Sequence, residues 1–170
     1  MLISTVSGTW RYLIGDTIKF ISLRNYEIQI TGRTKHFLSL CGEHLSVDNM
    51  NKALELVSNE LNIEIKEFTV AGIPHGTLFA HQWYVGTDDK VDANVLKERI
   101  DFHLKELNDD YAVERSAALK EIYVQPLPLH KFYDWMESKG KVGGQNKFPR
   151  VMTQDQFIEW EEFVKKAIAK

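Results

Sequence analysis

The chain is short of several features that would define its class. Its single cysteine, Cys41, excludes an internal disulfide framework and is typical of a reducing compartment. No apolar run approaches the roughly 20 residues that a membrane-spanning helix needs, and the N-terminus lacks the basic start and apolar core of a secretory signal. A formal charge of −3 gives no bulk attraction to nucleic acid or an anionic membrane. We therefore expect a cytoplasmic protein that binds neither nucleic acid nor a membrane.

Common catalytic patterns are also missing from the sequence. It contains no Gly-x-x-x-x-Gly-Lys-Ser/Thr phosphate loop, no Ser-His-Asp order and no Cys-His pair. The six histidines show no metal-ligand spacing, so no metal site is predicted. Glu43 and His44 admit two interpretations, an acid–base pair or a solvated turn, and the sequence favours the turn.

Apolar periodicity predicts one α+β domain. Two alternating runs, 16–23 and 26–31, predict a β-hairpin with one buried face. Strands then alternate with amphipathic helices, the first capped by Ser46 and the last opened by a capping box of Thr153 and Gln156. Strands are predicted at 37–41, 63–73, 78–87 and 121–126, and helices at 46–62, 92–108, 129–138 and from 153 onward. This order indicates an open, mostly antiparallel sheet with helices packed on one side.

Two polar segments near the N-terminus could bind a ligand. The segment W-R-Y-L-I-G-D at 10–16 ends in Asp16, whose carboxylate could accept hydrogen bonds from two vicinal hydroxyls. The alternative is a turn aspartate that caps its own backbone. Tyr12 could line the same pocket or belong to the core. In G-R-T-K at 32–35, Arg33 offers a planar fork for a carboxylate or phosphate, or simply ends the hairpin in solvent.

A third segment, G-G-Q-N-K-F-P-R at 143–150, contains a candidate catalytic lysine. Lys147 stands between a flexible glycine pair and the rigid Pro149. A mobile ammonium group there could follow negative charge that develops on phosphate oxygens. Lys141, in G-K-V at 140–142, is the competing candidate. The simpler alternative is a solvated basic loop that contains both lysines together with Lys139 and Arg150.

Taken together, the three segments resemble one enzyme family. The first two are similar to the ribose-binding R-Y-x-x-G-D segment and the hinge G-R turn of adenylate-forming ligases. The third is similar to the Q-x-K-x-P-R segment of the acyl acid amido synthetases, the auxin-responsive family with bacterial relatives. The resemblance implies that residues 1–33 end an N-terminal domain as a linker hairpin leading to a hinge near Lys35. Residues 34–170 would be the C-terminal lid domain, and the large N-terminal domain that binds ATP and the acyl group is expected to be absent from this chain.

The resemblance also implies the chemistry. The family uses ATP with Mg²⁺ to activate a carboxylic acid as an acyl-adenylate, which an amine or amino acid then converts to an amide. It implies roles for six residues: nucleotide binding by Asp16, Tyr12 and Arg33, the hinge at Lys35, and catalysis by Lys147 or its competitor Lys141. The chain alone is expected to be inactive. Two alternatives stay open, the lid of a ligase that makes acyl-CoA thioesters and a free-standing α+β binding module.

Overall fold

The computed structural model describes residues 2–33, 37–141 and 147–168. Within them the strands are β1 (Leu2–Ile3), β2 (Tyr12–Leu13), β3 (Asp16–Ser22), β4 (Glu27–Arg33), β5 (Phe37–Leu38), β6 (Leu45–Ser46), β7 (Glu67–His75), β8 (Leu78–Gly86) and β9 (Leu119–Leu127). The helices are α1 (Val47–Leu61), α2 (Ala93–Leu107), α3 (Asp109–Ser116), α4 (His130–Ser138) and α5 (Gln154–Ile168). The predicted α+β class is confirmed.

The central sheet consists of β7, β8 and β9 in that order. β7 and β8 form an antiparallel hairpin that turns at Gly76, whose φ of 63° lies in the left-handed region. β8 and β9 are parallel, so α2 and α3 form the crossover between them. At the other edge, Val151 bridges to Val70 of β7. This bridge brings the chain that follows the third motif segment onto the sheet.

Helices cover both faces of the central sheet, so the prediction of one-sided packing is wrong. On one face, Phe68, Val70 and Trp83 pack in a core with residues of α1, α2 and α3. On the other face, Ala71 and Tyr84 pack with residues of α4 and α5. The reason is that apolar residues occupy both faces of β7 and β8, which is the pattern of strands buried on two sides.

Local caps set where the helices begin. The predicted Ser46 cap is confirmed, because its hydroxyl accepts a hydrogen bond from the Asn49 amide at 3.1 Å. The capping box that opens α5 is confirmed by reciprocal hydrogen bonds of 3.0 and 3.4 Å between Thr153 and Gln156. α3 was not predicted from the sequence. Its signal is Asn108, followed by two aspartates, which ends α2 and caps α3.

The N-terminal hairpin forms where it was predicted but lies open to solvent. β3 and β4 pair antiparallel, and β4 extends two residues past the predicted end, to Arg33. Phe20, Ile28 and Ile30 are 56%, 44% and 62% exposed. The prediction of one buried face is therefore wrong. Alternation along a strand gives the direction of its side chains, whereas burial depends on what packs against them.

Candidate functional site

Asp16 and Arg33, two of the predicted nucleotide-binding residues, lie at one end of the N-terminal hairpin. Asp16 begins β3, Arg33 ends β4, and the two residues are direct backbone partners in the ladder. Gly15 has a φ of 80°, a conformation that favours glycine, so the turn accounts for the glycine of the Gly-Asp step. The structure thus brings the first two motif segments together through their backbones. The proposed binding roles of Asp16 and Arg33 stay predictions.

Two further predictions fall near this hairpin. Tyr12 of β2 pairs with Ile3 and is 59% exposed, so it is not part of the core that this chain forms. Arg11 beside it has a φ of 48° and donates its backbone N–H to the Ser4 hydroxyl at 3.0 Å. Lys35, the predicted hinge, lies outside the described residues, as do residues 142–146 of the glycine-rich segment.

Lys147 is exposed and stands directly before a buried anchor. Phe148 is 5% exposed, and its ring centroid lies 4.9 Å from that of Phe132 and 5.2 Å from those of Trp135 and Trp160. We call these four rings the aromatic cluster. The cluster lies between α4, α5 and the sheet, within the second core. The backbone of Lys147 is therefore fixed on its C-terminal side while its side chain faces solvent.

The basic residues around Lys147 do not form one solvated loop. Arg150 is half-buried and makes an ion pair with Glu67, so the solvated-loop alternative is wrong for Arg150. Lys139 is exposed and pairs with Glu159 at 2.6 Å. Lys141 is exposed, and its backbone N–H donates to the Met136 carbonyl at 3.0 Å, which closes the end of α4.

Lys141 and Lys147 therefore differ from the two paired basic residues. Within the described part of the chain, neither lysine has an ion-pair partner.

A cavity of about 240 Å³ lies between α1 and β7, close to the same segment. Lys66 and Arg150 are the cations among its lining residues. Lys66 pairs with Glu64 at 2.9 Å and Arg150 pairs with Glu67. Because both cations are already paired with carboxylates, we do not assign the cavity to a phosphate.

A buried pair of titratable residues was not predicted from the sequence. Glu43 and His81 are both fully buried, with 3.0 Å between a Glu43 carboxylate oxygen and His81 Nε2. Glu43 also accepts the backbone N–H groups of Leu40 and Cys41 at 2.9 and 3.0 Å. The solvated-turn interpretation is therefore wrong for Glu43, whose partner lies in β8 and is not the neighbouring His44. The two partners are too far apart in sequence for local spacing to reveal the pair.

The protonation of this pair follows from its surroundings. Burial alone would raise the pKa of Glu43, but hydrogen bonds from His81, Cys41 and Leu40 outweigh burial and lower the pKa to about 2. Burial is the main cause that lowers the pKa of His81, against the opposing effect of Glu43. A carboxylate therefore faces a neutral imidazole that donates from Nε2.

The pair fixes the loop between β5 and β6 on the sheet. Leu40 of this loop packs so closely on Gly72 that a Cβ there would lie 2.3 Å from its side chain. Burial, followed by the charge of Glu43, raises the pKa of Cys41 to about 12, so this thiol is a poor nucleophile. Because Glu43 and His81 are both sealed from solvent, we assign the pair a structural role.

The described residues were searched for a metal-binding group and for a membrane-spanning helix. None of them form a group of three or more histidine, cysteine, aspartate or glutamate side chains that could hold a metal ion. No helix in the described ranges is both long and apolar enough to cross a bilayer.

Comparison with known proteins identifies the family. A family profile, the GH3 family C-terminal domain, matches residues 48–156. The chain therefore belongs to the GH3 family and contains its C-terminal domain. No curated protein sequence matches the chain. The resemblance to the acyl acid amido synthetases that the three segments indicated is confirmed.

Two solved structures share the fold. GH3.15 acyl acid amido synthetase superposes with a TM-score of 0.76 at 20% identity. AtGH3.15 acyl acid amido synthetase in complex with 2,4-DB superposes with a TM-score of 0.75 at 21% identity. Each superposition covers 97% of this chain and 32% of the other, so the chain spans about a third of the length of these structures. Identity this low establishes the fold and leaves residue roles to be tested.

Proposed function

We propose that this chain is the C-terminal lid domain of a ligase that activates a carboxylic acid with ATP and joins it to an amine. The proposal is carried by the family match over residues 48–156, in a chain that aligns along 97% of its length with part of an acyl acid amido synthetase. The same match favours an amide product over an acyl-CoA thioester. Because the chain spans 32% of that relative, we expect it to be inactive alone.

The proposed reaction has two steps. First, a carboxylate oxygen of the acid forms a bond to the α-phosphorus of ATP, and the bond from that phosphorus to the pyrophosphate oxygen breaks. The products are an acyl-adenylate and pyrophosphate. Second, the amine nitrogen attacks the acyl carbon and loses a proton as AMP departs, which leaves an amide. Negative charge grows on phosphate oxygens in the first step, so a positioned cation lowers that barrier.

Lys147 is the residue to which we assign this catalytic role. Its side chain is exposed, and it belongs to the segment that resembles the lysine-bearing segment of the family. Lys141 is the competitor, since it is also exposed at the other end of the same connection. We further propose that Asp16, Tyr12 and Arg33 contact the nucleotide. Mg²⁺ would accompany ATP, and we assign none of this chain's residues to it.

We also propose that residues 1–33 belong to the edge of the N-terminal domain, with the hinge near Lys35. The support is the exposure of large apolar side chains in this region, such as Trp10 at 80%, Leu13 at 69% and Ile30 at 62%. Twelve of the large apolar side chains exposed in the described residues lie between positions 2 and 30, and such a concentration of exposed apolar side chains favours a contact with another protein surface. In this arrangement, residues 34–170 are the part that moves as the lid.

The test is ATP–pyrophosphate exchange by the natural protein that contains this chain, with a panel of aromatic and aliphatic carboxylic acids. With an acid that supports exchange, Lys147→Ala should slow exchange by about 100-fold or more, with unchanged stability. Lys141→Ala is the matched control and should retain exchange. A silent Lys147→Ala with an inactive Lys141→Ala would reverse the assignment. If no acid supports exchange, the free-standing binding module becomes the better account.

A further inference from the structure

The segment after Lys147 is attached to the rest of the domain by three different contacts. Phe148 enters the aromatic cluster. The Arg150 carbonyl accepts the Val70 N–H at 2.9 Å, and the Met152 N–H donates to the Val70 carbonyl at 2.9 Å. The third contact is made by the Arg150 side chain. Together they leave the Lys147 side chain free while its backbone is held.

The guanidinium of Arg150 contacts two residues of β7, Glu67 and Phe68. It forms an ion pair with Glu67, donates to the Phe68 carbonyl at 3.2 Å and lies 4.6 Å from the centre of the Phe68 ring. Glu67 and Phe68 begin β7, so these contacts all belong to one strand end. Arginine suits this arrangement because its planar group can pair with a carboxylate and stack on a ring at the same time.

The short backbone between Lys147 and Arg150 is itself stiff. Pro149 fixes its own φ near −65° and restricts Phe148 before it to extended conformations. With Phe148 buried and Arg150 paired, few backbone rotations are left that could move Lys147. Phe148 and Arg150 are therefore the two side chains that hold the segment on the C-terminal side of Lys147.

We propose that Arg150, through its pair with Glu67, is a positioning residue that sets where the Lys147 ammonium group acts, with Phe148 as the second anchor. This proposal rests on the proposed function, in which Lys147 is the catalytic residue. Arg150 contacts no substrate in this account. The two basic residues of this motif thus have different roles: Lys147 takes part in the reaction, and Arg150 holds the segment in place.

Charge reversal in the natural protein tests the proposal. Glu67→Arg and Arg150→Glu should each lower kcat of ATP–pyrophosphate exchange by about 10- to 100-fold, because small displacements of a catalytic group are costly. The KM for ATP should change by less than about twofold, as expected for a residue that does not bind ATP. The double variant should recover to within about fivefold of the unaltered protein, because opposite charges again face each other.

A second ion pair provides the matched control. Lys97 and Glu121 pair at 2.8 Å with side chains 34% and 30% exposed, whereas Arg150 and Glu67 are 30% and 18% exposed. Glu121→Arg should lower the unfolding midpoint about as much as Glu67→Arg and leave kcat within about twofold. Unchanged kcat in both reversed variants would overturn the proposal, as would failure of the double variant to recover. A raised KM for ATP with unchanged kcat would instead make Arg150 a nucleotide-binding residue.

Hydrogen exchange separates failure of this proposal from failure of the proposed function. If the natural protein lacks pyrophosphate exchange with every acid, the proposed function fails, but the attachment of the segment can still be measured. Glu67→Arg should speed exchange of the Val70 and Met152 amides by about tenfold relative to Glu121→Arg, because those amides form the hydrogen bonds beside Arg150. Equal exchange rates in the two variants would overturn the positioning role on structural grounds alone.

Discussion

Residues 2–33 and residues 38–168 are built from the same kinds of strands but differ in what covers them. Twelve of the eighteen large apolar side chains that are exposed in the described chain lie between positions 2 and 30. Every buried core residue among those whose side chains are described lies at position 38 or beyond. The β3–β4 ladder nevertheless pairs six positions of each strand, with register shifts between Thr17 and Ile18 and between Phe20 and Ser22. Strand pairing is thus achieved locally, whereas a core requires further layers to pack on the strands.

The difference has an energetic meaning. A two-stranded hairpin without a packed face is at best marginally stable in water. The second region has two cores, one on each face of the β7–β8–β9 sheet. We therefore expect substitutions in the second region to alter the free energy of unfolding of the 170-residue chain. Equivalent substitutions in residues 2–33 should alter the free energy of unfolding mainly in the natural protein, where the proposed N-terminal domain contacts these residues.

The largest predicted difference uses one residue type in both regions. Trp160 is fully buried at the centre of the aromatic cluster, whereas Trp10 is 80% exposed. Trp160→Ala should lower the free energy of unfolding by about 4 kcal/mol, because it leaves a cavity in the second core. Trp10→Ala should change it by less than about 0.5 kcal/mol. Urea denaturation of the 170-residue chain measures both, and equal losses would contradict the comparison.

A smaller effect is predicted for the buried carboxylate. Glu43→Gln should lower the free energy of unfolding by about 2 kcal/mol, because hydrogen bonds from two backbone amides and His81 are weakened. Glu27→Gln on the exposed hairpin is the matched control and should be nearly neutral. The same urea experiment applies. A neutral Glu43→Gln would mean that the Glu43–His81 pair does not hold the loop.

The same pair predicts how stability depends on pH. The pKa of Glu43 is lowered to about 2, so its contribution is complete above its ordinary pKa of about 4.3 and is lost as pH falls towards 2. The pKa of His81 is lowered by burial, so protonation of the unfolded chain removes stability below about pH 6.5. Both effects have the same sign. Unfolding measured between pH 7 and pH 3 should become easier with acid, and less steeply so in a Glu43→Gln/His81→Gln variant.

The smallest effect is expected on the hairpin itself. Ile30→Ser, at a side chain that is 62% exposed, should change the free energy of unfolding of the 170-residue chain by less than about 0.5 kcal/mol. In the natural protein the same change should cost about 1–2 kcal/mol, because the proposed N-terminal domain would bury this side chain. Thermal unfolding of both proteins measures the difference. Equal, small changes would argue that the hairpin stays exposed.

Sequence signals predicted those parts of the fold that depend on neighbouring residues. The Ser46 cap and the Thr153 capping box could be predicted because their partners lie three positions away, and the N-terminal hairpin because its two strands follow each other along the chain. The second buried face of the sheet and the Glu43–His81 pair were not, because they depend on contacts between distant segments. Apolar alternation in β3 and β4 predicted a buried face that the described chain does not provide.

The candidate site also has features that the sequence predicted and features that depend on distant contacts. The three motif segments were sufficient to indicate the family, and the structure adds that Asp16 and Arg33 are backbone partners. The ion pair between Arg150 and Glu67 could not be predicted from the sequence, because Glu67 in β7 lies far from Arg150 along the chain. The choice between Lys147 and Lys141 also depends on where the substrate lies relative to this domain. No local pattern contains that information.

The mass of the native protein in its own cells, detected with an antibody to this domain, tests the central claim most directly. The claim is that the chain is the lid of a larger ligase, and the chain itself has a mass of 19.7 kDa. Because the chain covers 32% of the matched structures, a species roughly three times heavier is predicted. A native species near 19.7 kDa would contradict the lid account and leave a free-standing domain, or a subunit that acts on a separate partner.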